Sequence, residues 1–90
     1  MTGIVGVQFK IMPTSPSVNL EKIKENAKKI IEKYGGVSRS YIEEPIAFGL
    51  KAIIAFFSYD ESKDTEEIEE ALREIEDVQS VQMIDIRKIA

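Results

Sequence analysis

The 90-residue sequence contains no cysteine, no histidine and no tryptophan. Without cysteine there are no disulfides, no thiolate nucleophile and no iron-sulfur ligation. Without histidine the imidazole base is lost, and with both missing the usual zinc sites go too. No long hydrophobic run is present either. Met1 to Met12 carries Gln8 and Lys10 inside its apolar pattern, so it reads neither as a signal peptide nor as a membrane span, and a cytoplasmic protein is expected. Positive charge is in short supply: 12 Lys and Arg face 16 Asp and Glu, a net charge of -4. That balance lacks the field behind non-specific nucleic-acid binding and suits a basic partner surface. What remains, 43% hydrophobic and 31% charged residues, is the composition of one ordinary globular domain spanning residues 1–90. No set of side chains for covalent catalysis stands out, which points to a protein that works by binding a partner rather than to an enzyme.

Val5, Val7, Phe9 and Ile11 alternate with Gly6, Gln8 and Lys10, the period-two pattern of a strand over Ile4 to Ile11. Met12-Pro13-Thr14-Ser15-Pro16 ends it. Asn19 is placed to cap a helix running to Tyr34, with Leu20, Ile23, Ala27, Ile30, Ile31 and Tyr34 on one face and Gly35-Gly36 as its stop. Val37 to Ile42 reads as a second strand. Glu43-Glu44-Pro45 reads as a break, with Pro45 barring ladder pairing, and a third strand is expected from Ile46 to Tyr59. Both faces of that third strand are apolar, as in a central strand. Asp64 and Glu67 fit a capping box for a second helix with an Ile68, Ala71, Leu72, Ile75 stripe and a strongly acidic surface. Val78 to Ile89 forms the last strand. Its apolar phase changes between Met83 and Ile84, which predicts a bulge near Met83 to Asp85. The order β-α-β-β-α-β is that of an α+β, ferredoxin-like sandwich, with a four-stranded antiparallel sheet and both helices on one face.

That fold serves many functions, so specific residues must discriminate between them. The aromatic and basic signature of an RNA-recognition module is missing from the first and third strands. The loop from Met12 to Val18 has no arginine or glycine nest to cradle an acyl phosphate. Glu43 and Glu44 are adjacent, point apart if extended, and make a turn more readily than an acid-base pair. Two segments are unusual. In Pro45-Ile46-Ala47-Phe48-Gly49-Leu50 an aromatic precedes glycine at a strand start, either because something approaches the backbone there or because Phe48 is a core residue and Gly49 relieves a bulge. Arg87 and Lys88 sit together in an otherwise acidic protein, either as a functional pair or as a frayed, solvated end.

Glu43-Glu44-Pro45-Ile46-Ala47-Phe48-Gly49-Leu50-Lys51-Ala52 resembles the central segment of the archaeal translation elongation factor 1-beta family. Val78-Gln79-Ser80 and Asp85-Ile86-Arg87-Lys88-Ile89 resemble its last strand, and Met12-Pro13 with Ser17-Val18-Asn19-Leu20 also fits. The similarity runs through essentially the whole chain and extends to the eukaryotic C-terminal exchange domain. The eukaryotic run continues with a second lysine where Ala52 stands here, and Lys88 is followed by one residue more than in that pattern. The resemblance implies a guanine-nucleotide exchange factor that promotes GDP release from the elongation factor 1-alpha GTPase. It implies that Phe48 enters an apolar pocket of the GTPase and Lys88 reaches its magnesium and phosphate region, with Pro45, Gly49, Lys51 and Arg87 as neighbouring partner-binding residues. No cofactor, no metal site, no direct nucleic-acid contact, no membrane association and a monomer in isolation are expected. The other function considered is a ferredoxin-like small-molecule-binding regulatory domain, which requires a glycine-bearing cleft at a helix N-terminus and a concentration-dependent dimer.

Overall fold

The computed structural model describes residues 3–90. Its elements follow in the order β1 (Ile4–Pro13), α1 (Leu20–Lys33), β2 (Val37–Pro45), β3 (Lys51–Asp60), α2 (Glu66–Arg73) and β4 (Val78–Lys88). The four strands form one antiparallel sheet in the order β2-β3-β1-β4. This is the ferredoxin-like arrangement, with the apolar third strand lying inside the sheet.

Local chemistry accounts for the ends of α1. The Asn19 side chain accepts from the backbone N–H groups of Glu21 and Lys22 at 3.1 and 3.4 Å, satisfying two donors that the first turn leaves open. At the other end Gly35 takes φ +90°, and the N–H groups of Gly35 and Gly36 return to the carbonyls of Glu32 and Ile31. This is a Schellman closure, which needs a residue tolerant of the left-handed region at Gly35. α2 starts as α1 does, but without the full box. Thr65 already has helical backbone angles, φ -70° and ψ -14°, and gives no side-chain cap. The Asp64 carboxylate accepts from the Glu66 N–H at 2.9 Å, two residues on as at Asn19, and so caps the first turn. The Glu67 side chain does not return to the Asp64 N–H, so the expected capping box is only half formed.

The core lies between the helices and one sheet face. Val7, Phe9, Ile11, Ile53, Ala55, Phe57 and Tyr59 from the sheet meet Ile23, Ala27, Ile31, Ile68 and Leu72 from the helices. Phe9 and Phe57 stack with ring centroids 5.7 Å apart. Truncating either ring to alanine would cost about 3–5 kcal/mol. On the open face, Ala52, Ile54 and Ser58 are buried too, which explains why both parities of β3 read as apolar. Ser58 accepts from Arg39 Nε at 2.8 Å, and Arg39 is the residue skipped in the β2–β3 register. The expected bulge in β4 is present: Gln8 pairs with Asp85 and Phe9 with Met83, leaving Ile84 over. That extra residue lets Met83 and Ile86 share the helix-side face despite their opposite parity.

The largest correction concerns the middle of the chain. β2 does not stop at Ile42 but continues through Glu43, Glu44 and Pro45, and Pro45 pairs with Lys51. β2 is an edge strand, so the missing N–H of Pro45 forfeits little there. Glu43 and Glu44 point to opposite faces, toward Lys24 and Lys10 respectively, and neither lies in a turn. The third strand begins at Lys51, and residues 46–50 form the hairpin connection.

Candidate partner-binding site

The hairpin tip is built from backbone conformation rather than packing. The Leu50 N–H donates to the Ala47 carbonyl and the Ile46 N–H to the Leu50 carbonyl, both at 2.9 Å. Between them Phe48 and Gly49 have φ +53° and +80°. Positive φ at both central residues is the demand of a type I′ turn, whose twist matches that of the flanking strands. Gly49 meets the demand without strain, whereas a bulky residue such as Phe48 is a conformational outlier there. The consequence is an aromatic ring 97% exposed to solvent. Phe48 is therefore not a core residue, and the glycine serves the turn rather than a bulge. Strain held at an exposed side chain is a mark of functional segments, because nothing in folding rewards it.

Below the tip, Pro45 and Lys51 close the ladder, and Lys51 Nζ stands 3.9 Å from Glu43 Oε1. Glu43 Oε2 also accepts from Lys24 Nζ at 2.7 Å, tying the base of the hairpin to α1. The Lys24 hydrogen bond, then the Lys24 charge, hold the Glu43 carboxyl below its ordinary value. Reciprocally, the hydrogen bond to Glu43 raises Lys24. Pro16 packs against the tip, with its Cβ 3.6 Å from where a side chain on Gly49 would begin. Pro13, Ser15, Pro16, Leu20, Gly49 and Lys51 line a cleft of about 240 Å³ between the hairpin and the start of α1. In the sequence Pro13 and Pro16 carry only a strand-stop signal; their contact with the hairpin, more than thirty residues away, is set by the fold.

Arg87 and Lys88 lie elsewhere. Val5 pairs with both Tyr59 and Lys88, at the end of the sheet opposite the hairpin. From Gly49 to Tyr59 the chain advances roughly 33 Å at ~3.3 Å per residue, most of the 45 Å long axis of the molecule. The structure thus groups Pro45, Phe48, Gly49 and Lys51 at one end and Arg87 with Lys88 at the other. The end is not frayed: Ile89 N–H donates to the Ile4 carbonyl and Ile4 N–H to the Ala90 carbonyl, both at 2.9 Å. Arg87 Nε donates to Asp85 at 3.0 Å, and Lys88 Nζ lies 3.6 Å from Glu61 Oε1.

A larger groove of about 390 Å³ runs between α1 and α2, lined by residues that include Asn26, Lys29, Tyr34, Ala71 and Glu74. It lies away from both helix N-termini and borders no glycine. The smaller cleft does border Gly49 near the start of α1, but Asn19 already serves the first free N–H groups of that helix.

The pattern of the EF-1 guanine nucleotide exchange domain matches residues 6–89. The elongation factor 1-beta of Methanocaldococcus jannaschii is 46% identical over 80 residues, covering 88% of this chain and 90% of that protein. The elongation factor 1-beta of Methanosarcina barkeri is 40% identical over 88 residues, covering 97% and 99%. Among solved structures, the ACT domain from the GTP pyrophosphokinase of Chlorobium tepidum superposes with a TM-score of 0.58 at 15% identity. The match covers 93% of this chain and all of that one. At so low an identity it speaks to the fold alone.

Proposed function

This chain belongs to the elongation factor 1-beta family of guanine nucleotide exchange domains, and on that premise we propose that it promotes GDP release from the elongation factor 1-alpha GTPase that delivers aminoacyl-tRNA. It does so as a monomer in the cytoplasm, by protein contact, with no covalent chemistry and no cofactor of its own. The observation that carries this reading furthest is the exposed, strained Phe48 at the hairpin tip. An aromatic ring held in water by its backbone is ready to enter an apolar pocket on a partner. Burying such a ring contributes roughly 1.5–3 kcal/mol, and little ordering remains to be done on binding.

Lys88 supplies the second part. Magnesium anchors a bound nucleotide by bridging its phosphates. A lysine ammonium delivered beside that ion competes for the phosphate oxygens and repels the cation, so the nucleotide loses an anchor. Linkage sets the scale: a protein that prefers the nucleotide-free GTPase weakens nucleotide binding by the same factor. Typical coupling of ~1–3 kcal/mol corresponds to ~5- to 150-fold. The separation of the two residues suits a partner large enough to be gripped at one place and disturbed at another.

The test is release of labelled GDP from the cognate GTPase. Acceleration by the wild-type protein is expected, with most of it lost in Lys88→Ala. No acceleration by wild type would refute the function, and full activity in Lys88→Ala would refute the role of Lys88.

A further inference from the structure

At the Lys88 end of the sheet a single carboxylate oxygen faces two partners. Glu61 Oε1 accepts from the Gly3 backbone N–H at 3.0 Å and stands 3.6 Å from Lys88 Nζ. The Glu61 N–H in turn donates to the Gly3 carbonyl at 3.0 Å, so the residue is held by its backbone as well as its side chain. The Lys88 stem crosses Gly3 closely. A Cβ at position 3 would lie 2.9 Å from Lys88 Cε and 2.6 Å from the Ala90 carbonyl oxygen. Glycine at position 3 thus leaves the passage along which the lysine reaches Glu61.

From this geometry we propose that Glu61 is a positioning residue, which together with the bare backbone of Gly3 seats the Lys88 ammonium before the partner arrives. The proposal rests on the exchange function above and assigns the group that orients its lysine. A lysine side chain free in solvent samples many rotamers, and fixing it on the partner would oppose association. Here the loss is taken in the free protein, by a carboxylate that the Gly3 N–H itself keeps from swinging away. Such preorganisation acts on the step in which the ammonium meets the nucleotide site, not on docking of the distant hairpin. The pair is partly exposed, so the effect is modest: a roughly two- to fivefold change, the size expected of a surface ion pair.

Glu61→Gln is the informative variant, because its amide oxygen can keep the Gly3 hydrogen bond while the charge is removed. Expected are a two- to fivefold lower maximal rate of GDP release, an unchanged half-saturating concentration, and no further loss when Glu61→Gln is added to Lys88→Ala. Gly3→Ala, which displaces the lysine stem, should lower the maximal rate in the same way. In the free protein the Lys88 ammonium resonance should shift and broaden in Glu61→Gln. A maximal rate equal to or above wild type in Glu61→Gln, or losses that simply add in the double variant, would overturn the proposal. So would an unchanged ammonium signal. Each of these leaves the exchange function standing, whereas absence of acceleration by the wild-type protein would overturn both.

Discussion

Phe48 and Lys88 stand at opposite ends of the sheet, one on the turn beyond Pro45 and Lys51, the other level with Val5 and Tyr59. Energetic effects at sites this far apart add to within ~0.5 kcal/mol. In GDP-release assays the losses from Phe48→Ala and Lys88→Ala should therefore multiply, with Phe48→Ala raising the half-saturating concentration and Lys88→Ala lowering the maximal rate. Strong coupling between the two would mean that docking and release are one event.

Phe48→Ala should leave the fold intact. The ring is 97% exposed, so thermal or urea unfolding should shift by no more than about 0.5 kcal/mol. Phe9→Ala or Phe57→Ala, by contrast, should lose about 3–5 kcal/mol. Phe48→Gly should be neutral or slightly stabilising, because glycine adopts the required positive φ freely.

Gly49→Ala and Gly36→Ala should both destabilise, for different reasons. At Gly49 a methyl has ordinary room beside Pro16, and the loss, about 1–2 kcal/mol, comes from the left-handed backbone at φ +80°. At Gly36 the methyl would lie 2.6 Å from Ile31 Cγ2 and 3.1 Å from the Ile31 carbonyl. Overpacking of about 1–3 kcal/mol is expected there. Urea unfolding measures both, and Gly49→Asn, which tolerates the left-handed region, should recover part of the first loss but has no counterpart at Gly36.

Glu43→Gln should lower the melting temperature in a pH-dependent way. The carboxyl of Glu43 is depressed in the folded state by Lys24. Its contribution is therefore present above the ordinary carboxylate value and lost as pH falls through the lower folded value. Lys24 is raised, so its contribution is present below the ordinary lysine value and lost as pH rises through the folded one. The melting difference between wild type and Glu43→Gln should be level from about pH 6 to 9 and shrink on either side. A difference that stayed constant down through the acid range would rule out the ion pair as its source.

Much of this architecture could be read directly along the chain. The alternation of Val5, Val7, Phe9 and Ile11, the Asn19 cap, the Gly35-Gly36 stop and the change of phase at Ile84 are local patterns, set by side-chain period and backbone sterics. The two apolar faces of β3 reflect a strand that lies inside the sheet. The hairpin is hidden in the sequence because Phe48 belongs to an apolar run, and hydropathy says nothing about the sign of φ. Read as one strand, Ile46 to Tyr59 satisfied the alternation while concealing a turn that only the pairing of Pro45 with Lys51 makes plain.

By itself, then, the sequence determined the order of elements, the two ends of α1, the β4 bulge and the absence of thiol and imidazole chemistry, because each depends on residue type or near neighbours. Tertiary structure alone decided that Phe48 lies in solvent, that Lys88 stands far from it, and that Glu61 comes to face the lysine beside Gly3. Those are relations between segments distant in sequence, and they exist only once the antiparallel ladder has fixed which residues come level with one another.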